Sequence, residues 1–201
     1  MSSLRRGDPH RFRRICGVLC ASLLVAFPAA AGPLAEAAKV AEEKAAAGDT
    51  VGAYETMTEA FADFAMALPF TVKKAVFVTG KPAAYGAYEA KADSTFKTGE
   101  PLVTYLELVG LDWKPVEGGK HQANFMVDLA ITDTAGQTLA SQENFGDFTF
   151  TGFVRNQEIF TDLTLDVSGA DPGDYVLRYT IKDTIGGNTA SVEQPFTLAA
   201  Q

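Results

Sequence analysis

Ahead of Pro69, apolar side chains recur at intervals of three and four residues, which is the period of an amphipathic α-helix. An alanine-rich helix is expected over 33–47, and Gly48 is expected to end it. Asp49 is placed to cap a second helix, which Pro69 stops. The apolar positions of this second helix form one stripe: Val51, Tyr54, Met57, Phe61, Phe64 and Leu68. We interpret residues 32–69 as a helical hairpin packed on the rest of the protein. A single tetratricopeptide-like repeat is the alternative, although such repeats need stacked neighbours.

After Thr71 the apolar period changes to two, which is typical of half-buried strands. About eight short strands are expected at spacings of about ten residues, the pattern of an antiparallel immunoglobulin-like β-sandwich. The expected strands lie at 72–78, 85–91, 102–109, 125–131, 148–150, 159–167, 175–181 and 190–198. No helical period between them is long enough for a β–α–β crossover. The sequence therefore predicts a mainly β (α+β) protein, with the sandwich over 70–201 preceded by the N-terminal hairpin.

Two turns of this β-rich part have matching sequences. Residues 131–136 and 181–186 share Ile, Asp, Thr and Gly at the same places. A duplication would explain the match. Shared hairpin chemistry explains it as well, and we favour it because Asp starts such turns and Gly supplies a positive φ angle.

The first 31 residues have the composition of a secretory signal. Five arginines come first, an apolar run follows from Ile15 to Phe27, and alanines stand at 29–31. The apolar run is too short for a helix that crosses a bilayer of about 30 Å. We therefore expect 1–31 to be a signal peptide by the general or the twin-arginine route, and the protein to be periplasmic or secreted with no stable membrane insertion. An uncleaved N-terminal anchor is the alternative.

Removal of residues 1–31 changes the chemistry that the chain offers. Of the 17 Lys and Arg and 25 Asp and Glu in the whole chain, 12 and 24 remain, and His121 is the single histidine left. Both cysteines are lost, which excludes thiol nucleophiles and cysteine metal sites from the mature form. The acidic balance argues against binding to nucleic acid and to anionic membranes. One histidine and no Gly-x-Ser-x-Gly motif argue against catalytic triads and zinc sites.

The C-terminal hairpin resembles known modules. The stretch from Pro172 to Asp183, followed by Pro-Phe-Thr-Leu at 195–198, is similar to the final hairpin of immunoglobulin-like modules in exported bacterial proteins. With the Gly-Glu-Pro-Leu turn at 99–102, the order of signal, helical hairpin and sandwich resembles uncharacterised secreted proteins of alphaproteobacterial type. This resemblance covers most of the mature chain and implies a fold and a compartment. It implies no activity and no catalytic residue.

Aromatic residues supply the candidate partner-binding site. Four phenylalanines lie within nine residues: Phe145, Phe148, Phe150 and Phe153. Strand glycines beside them indicate a bulge, which shifts the alternation and would leave one or two rings on an outer face for the hairpin or a partner. Core filling is the other interpretation. Trp113 is a further candidate, either to stack on a sugar or partner or to plug an end of the sandwich.

Aspartates supply an alternative site. Five of them lie at expected strand ends: Asp112, Asp133, Asp171, Asp174 and Asp183. Converging loops of a sandwich could provide the roughly six to eight oxygens that Ca²⁺ requires. Turn chemistry explains each aspartate without a metal, and no EF-hand motif is present.

The sequence therefore predicts a non-enzymatic interaction or accessory protein of the bacterial cell envelope. It would act through protein contacts of the sandwich and hairpin, with an envelope protein as partner and no cofactor. A calcium- or glycan-binding module at the loop end near Trp113 is the alternative. A carboxylate hydrolase using Glu100, Glu107 or Asp128 is a third hypothesis, which requires one carboxyl group kept protonated by burial.

Overall fold

The structure, a computed structural model, describes residues 32–200 and is mainly β with two helices. The helices are α1 (Pro33–Ala46) and α2 (Thr50–Met66). Nine strands follow: β1 (Thr71–Val78), β2 (Thr95–Lys97), β3 (Leu102–Val109), β4 (Lys114–Val116), β5 (Lys120–Asp133), β6 (Thr138–Gly152), β7 (Ile159–Leu165), β8 (Gly173–Asp183) and β9 (Thr189–Ala199). The expected signal at 1–31 lies outside the described residues. Neither helix within 32–200 has the length and apolar character needed to cross a membrane.

The two helices form the expected hairpin. Gly48 ends α1 at a φ of +83°, a conformation that costs glycine little. The carboxylate of Asp49 accepts a hydrogen bond of 2.9 Å from the backbone N–H of Gly52, so the predicted N-cap is confirmed. Lys44 of α1 donates to the hydroxyl of Thr56 of α2 at 3.0 Å, which joins the two helices.

The strands form two sheets. The smaller sheet has the order β1-β3-β7 and is antiparallel. The larger sheet has the order β2-β9-β8-β5-β4, and β6 also pairs with β5. β2 runs parallel to β9, whereas the other strand pairings within 32–200 are antiparallel. The expected antiparallel arrangement therefore holds with this one exception.

One hydrophobic core lies between the two sheets. β3 of the smaller sheet contributes Leu106, and the larger sheet contributes Phe125 and Tyr179, all with no exposed surface. The hydroxyl of Thr104 on β3 donates to the side-chain oxygen of Gln194 on β9 at 3.0 Å, and both residues are buried. This two-layer arrangement fits the expected combination of β-sandwich and helical hairpin.

Nine strands replace the expected eight because three short segments differ from the expectation. β2 and β4 have three residues each, too few for an alternating pattern to stand out. The segment expected as a strand at 85–91 belongs instead to an irregular loop over 79–94. β6 is also much longer than the expected 148–150. Its first half is mostly polar and exposed on both faces, so it lacks the alternating apolar pattern from which a strand is predicted.

The loop over 79–94 covers the outer face of β3, which is therefore buried on both faces. The ring of Tyr88 stacks on the ring of Tyr105, with centroids 4.2 Å apart. The hydroxyl of Tyr105 donates to the carboxylate of Glu107 at 2.9 Å, and Lys73 forms an ion pair of 2.7 Å with the same carboxylate. The expected strand at 85–91 is reduced to isolated antiparallel bridges, one of them between Ala90 and Val78, because its tyrosines pack on the face of the sheet.

Leu106→Ala is expected to lower the free energy of unfolding by about 2–5 kcal/mol, because it leaves a cavity between the two sheets. Urea denaturation measures the change. Leu139→Ala is the control, since Leu139 on β6 is 51% exposed and its truncation should stay within about 0.5 kcal/mol of the parent. Equal losses in the two variants would contradict the position of the core.

Candidate functional site

The apolar stripe of α2 is exposed, although its spacing predicts packing on the rest of the protein. Met57 is half-buried, and the other five members are exposed: Val51, Tyr54, Phe61 and Phe64 on α2, and Leu68 two residues beyond its end. The exposed fraction is 73% for Tyr54 and 51% for Phe61. The residues that α2 does bury are the small Ala62 and Ala65. A contiguous run of large apolar side chains on a surface commonly marks an interaction site, so this exposed stripe is the candidate functional site.

The hairpin is attached to the sheets at the C-terminal end of α2. Arg155, in the loop after β6, forms an ion pair of 2.6 Å with Asp63 and contacts the Met66 sulfur at 3.5 Å. The backbone oxygen of Leu68 lies so near Gly110 that a Cβ at Gly110 would be 2.7 Å from it. Because these contacts lie at one end, the stripe further along α2 remains uncovered.

The composition of α1 explains why the hairpin does not cover its own stripe. The sequence of α1 is rich in alanine, and Ala41 is the residue that it buries. Alanine side chains are too small to enclose phenylalanine and tyrosine rings on a neighbouring helix. Spacing alone predicts internal packing for the stripe; the small alanines opposite it are the signal that it stays open.

A groove of about 780 Å³ runs between α1 and α2. The small Ala35 and Ala38 of α1 line one side, and Tyr54, Met57 and Phe61 of α2 line the other. None of the residues that line it is charged. We call this surface the hairpin groove. Its volume lies in the range of ligand pockets, about 300–1,000 Å³, but it is open along its length.

A second groove, of about 490 Å³, lies between α2 and the segment that follows β6. Phe153 and Val154 line it from that segment, and Phe153 is 72% exposed. The ammonium of Lys120 lies 5.4 Å from the centroid of the Phe153 ring. Tyr54 lines this groove as well as the hairpin groove, and His121 lies at its wall. Phe153 therefore extends the apolar surface of the hairpin.

The other three phenylalanines of the predicted partner site pack inward. Phe148 and Phe150 stack on Phe125, with centroids 5.1 and 6.0 Å away. Phe145 stacks on Tyr179 at 6.3 Å. All three are half-buried against the core. Of the four predicted residues, the structure thus leaves Phe153 as the ring that a partner can reach.

Trp113 is buried in the core between the sheets. Its indole Nε1 has no hydrogen-bond partner among the described residues. A ring removed from the surface cannot stack on a sugar or a partner, so Trp113 fills the end of the core instead. The glycan hypothesis therefore lacks its proposed aromatic platform.

The five aspartates of the calcium hypothesis divide between the two ends of β8. Asp112 and Asp183 lie together at one end, where the Asp112 backbone N–H donates to the Asp183 carboxylate at 3.1 Å. Asp133, Asp171 and Asp174 lie toward the other end, about 30 Å away at the usual rise of a strand. Within 32–200, no three His, Cys, Asp or Glu side chains are grouped so as to hold a metal ion. The expected convergence does not occur, because the aspartates are divided between the two ends of β8.

Asp112 and Asp183 nevertheless form a close carboxylate pair. Burial and the charge of Asp183 raise the pKa of Asp112. Asp183 is held by the turn that follows it, where its carboxylate accepts hydrogen bonds from the N–H groups of Ile185 and Gly186. A Cβ at Gly186 would lie 1.8 Å from a carboxylate oxygen of Asp112, so a side chain there would displace that carboxylate. Repulsion between the two carboxylates therefore destabilises the folded state locally at this turn.

The three carboxylates of the hydrolase hypothesis, Glu100, Glu107 and Asp128, lie on separate elements, and each pairs with a lysine. The lysines are Lys91, Lys73 and Lys182 in that order.

The pKa of each of these three carboxyl groups is lowered. Burial alone would raise the pKa of Glu107, but the ion pair with Lys73 and the Tyr105 hydrogen bond bring it below its ordinary value. The backbone N–H of Lys97 is the main cause of the lowered pKa of Glu100, and Lys182 is the main cause for Asp128. None of these three groups is therefore the protonated acid that the hydrolase hypothesis requires.

No protein-family model matches the chain, and no curated protein matches it. Several solved structures resemble part of it, among them the following two. The tetra-tandem repeat in the extending region of a large adhesion protein has 21% identity and a TM-score of 0.32, covering 65% of this chain and 24% of that chain. Spo0M, a sporulation control protein from Bacillus subtilis, has 9% identity and a TM-score of 0.34, covering 67% of this chain and 51% of that chain. Both TM-scores lie below 0.5, so neither likeness carries an argument about function.

Asp112→Asn is expected to raise the melting temperature at pH 7, because the folded state holds the pKa of Asp112 above its unfolded value. A raised pKa of a carboxyl group destabilises the protein above the folded pKa, and this cost disappears as the pH falls below the unfolded value of about 3.9. The gain should therefore shrink between pH 7 and about pH 3.5 in a calorimetric series. Asp171→Asn, at the other end of β8, controls for the change in net charge. A gain that is constant across the series would contradict the electrostatic cause.

Proposed function

We propose that this chain is an exported, non-enzymatic interaction protein of the bacterial cell envelope. In this proposal an immunoglobulin-like β-sandwich carries the helical hairpin, and the hairpin binds a partner protein through the apolar stripe of α2. The observation that carries the proposal is the exposure of four large apolar side chains on α2, with Leu68 exposed just beyond its end.

The exposed stripe is large enough to supply binding energy. Full burial of one large apolar side chain contributes about 1.5–3 kcal/mol. Tyr54 is 73% and Phe61 51% exposed, so covering each of them with a partner would contribute about 1–2 kcal/mol. Phe153 adds a third ring beside them. Rings of this kind are common among the residues that dominate binding energy at protein interfaces.

The proposed compartment rests on the sequence. The arginine-rich and apolar residues 1–31 have the composition of a secretory signal, and both cysteines lie within them. A mature chain without cysteine needs no oxidative folding in the envelope. Its acidic balance of 24 Asp and Glu against 12 Lys and Arg favours a protein partner over an anionic lipid surface.

Tyr54→Ser and Phe61→Ser are each expected to reduce capture of an envelope partner at least about tenfold, since tenfold corresponds to about 1.4 kcal/mol. The measurement is chemical crosslinking in cells that export the full chain, followed by affinity isolation and quantification of each crosslinked protein. Phe153→Ser is expected to give a smaller loss, because Phe153 lies at the edge of the surface.

Leu139→Ser is the matched control, since Leu139 on β6 and Phe61 are both 51% exposed. Melting curves establish that the variants are folded. Partners captured equally by the parent, Phe61→Ser and Leu139→Ser would show that the stripe is not the binding surface.

A further inference from the structure

We propose that the hairpin groove binds an amphipathic α-helix of a partner protein whose polar face is basic. This inference rests on the proposed function and adds the chemistry of the partner. Two observations carry it: the shape and apolar lining of the groove, and the distribution of charge around it.

The dimensions of the stripe match a helix. Along α2 the groove is lined from Tyr54 to Phe61, a spacing of seven residues that corresponds to about 10 Å or about two helical turns. The groove has small alanine side chains on the α1 side and the larger Tyr54, Met57 and Phe61 on the α2 side. An amphipathic helix that lies along such a groove buries anchors at positions i, i+3 or i+4, and i+7. A partner helix of two or more turns would therefore cover this lining from end to end.

The charge around the groove is negative. Residues 32–69 contain seven Asp and Glu against two Lys, and the residues that line the groove carry no charge. Glu42 follows Ala38 by four residues on α1, so it lies on the same face of that helix, one turn beyond the groove. Glu55 and Glu59 lie on the other side of Tyr54, where they line the second groove. A partner helix with apolar anchors would bring its flanking residues close to these carboxylates, which favours Lys and Arg.

The same charges argue against two other occupants of the groove, a second copy of this chain and a membrane surface. A second copy would bring its own seven acidic residues against these seven, and like charges across an interface oppose association. A membrane surface that attracts amphipathic helices does so through anionic lipids and basic side chains, whereas this hairpin is acidic. The apolar anchors and the acidic flanks together are complementary to a basic amphipathic helix.

Three synthetic peptides of about 18 residues test the inference, a length that spans five turns. The first has Leu at helical i, i+3, i+4, i+7 spacing and Lys at the remaining positions. The second has Glu in place of Lys, and the third has the composition of the first in an order without helical spacing. Fluorescence anisotropy measures their affinity for the purified exported protein. The Lys peptide is expected to bind at least about tenfold more tightly than either of the others, with a preference over the Glu peptide that weakens as salt is raised.

Variants separate the apolar from the electrostatic contribution. Phe61→Ser is expected to weaken binding of the Lys peptide at least tenfold. The triple variant Glu42→Gln, Glu55→Gln and Glu59→Gln is expected to reduce the preference for Lys over Glu at least threefold without loss of the folded state. Glu143→Gln, on the exposed part of β6, is the matched control and should leave the preference unchanged.

Several outcomes would overturn the inference. Equal binding of the Lys and Glu peptides would remove the electrostatic argument, and equal binding of the peptide without helical spacing would remove the helix. Sedimentation equilibrium that shows a dimer lost in Phe61→Ser would assign the groove to a second copy. Binding to phosphatidylcholine vesicles that is lost in the same variant would assign it to lipid.

The two proposals can fail separately. Envelope capture that depends on Phe61, with no binding of any peptide, would leave the proposed function in place and overturn this inference. Binding of the Lys peptide, together with envelope capture that Phe61→Ser leaves unchanged, would overturn the proposed function and leave the helix-binding groove in place.

Discussion

The fold depends on one carboxylate that has been removed from water. Glu107 lies near the end of β3 with 2% of its surface exposed, and an unpaired charge there would cost several kcal/mol. Lys73 supplies the opposite charge from β1, at the point where a bulge interrupts the register with β3. Because a bulge re-aims a side chain, it lets the Lys73 ammonium reach Glu107. The hydroxyl of Tyr105, also on β3, donates a hydrogen bond to the Glu107 carboxylate, and the loop over 79–94 covers both residues. The outer face of β3 is thereby sealed, while its leucines fill the core on the inner face.

The helical hairpin contributes little to the core between the sheets. The core between the sheets takes its large side chains from the strands, and α2 contributes to it at its last turn, through Met66. The rings of Tyr54 and Phe61 consequently do not pack in that core. Exposed side chains of this size oppose solubility, and the surrounding carboxylates offset that tendency. The arrangement separates a rigid support from a surface that is open for contact.

Local rules explain which parts of this fold were predictable. Gly48 and Asp49 act within a few residues of chain, so the hairpin and its cap follow directly from the sequence. Asp133 and Asp183 likewise start turns by accepting hydrogen bonds from nearby N–H groups, which supports shared hairpin chemistry as the reason for their matching sequences. The segment 85–91 was less predictable, because its extended pattern reflects tyrosines packed on a distant strand. The site was hardest: spacing identifies the stripe of α2, but whether a stripe is covered depends on the size of the side chains opposite it.

The small side chains that the two helices bury also determine the dynamics of the hairpin. Ala41, Ala62 and Ala65 are the residues that the two helices bury, and each removes little apolar surface from water. Backbone amides of α1 and α2 should therefore exchange with solvent through local opening, at a lower free energy than those of β3. A bound partner would slow that exchange in proportion to its saturation and leave β3 unaffected. Deuterium uptake in α1 and α2 should thus report the fraction of protein with a bound partner, and uptake in β3 provides the internal reference.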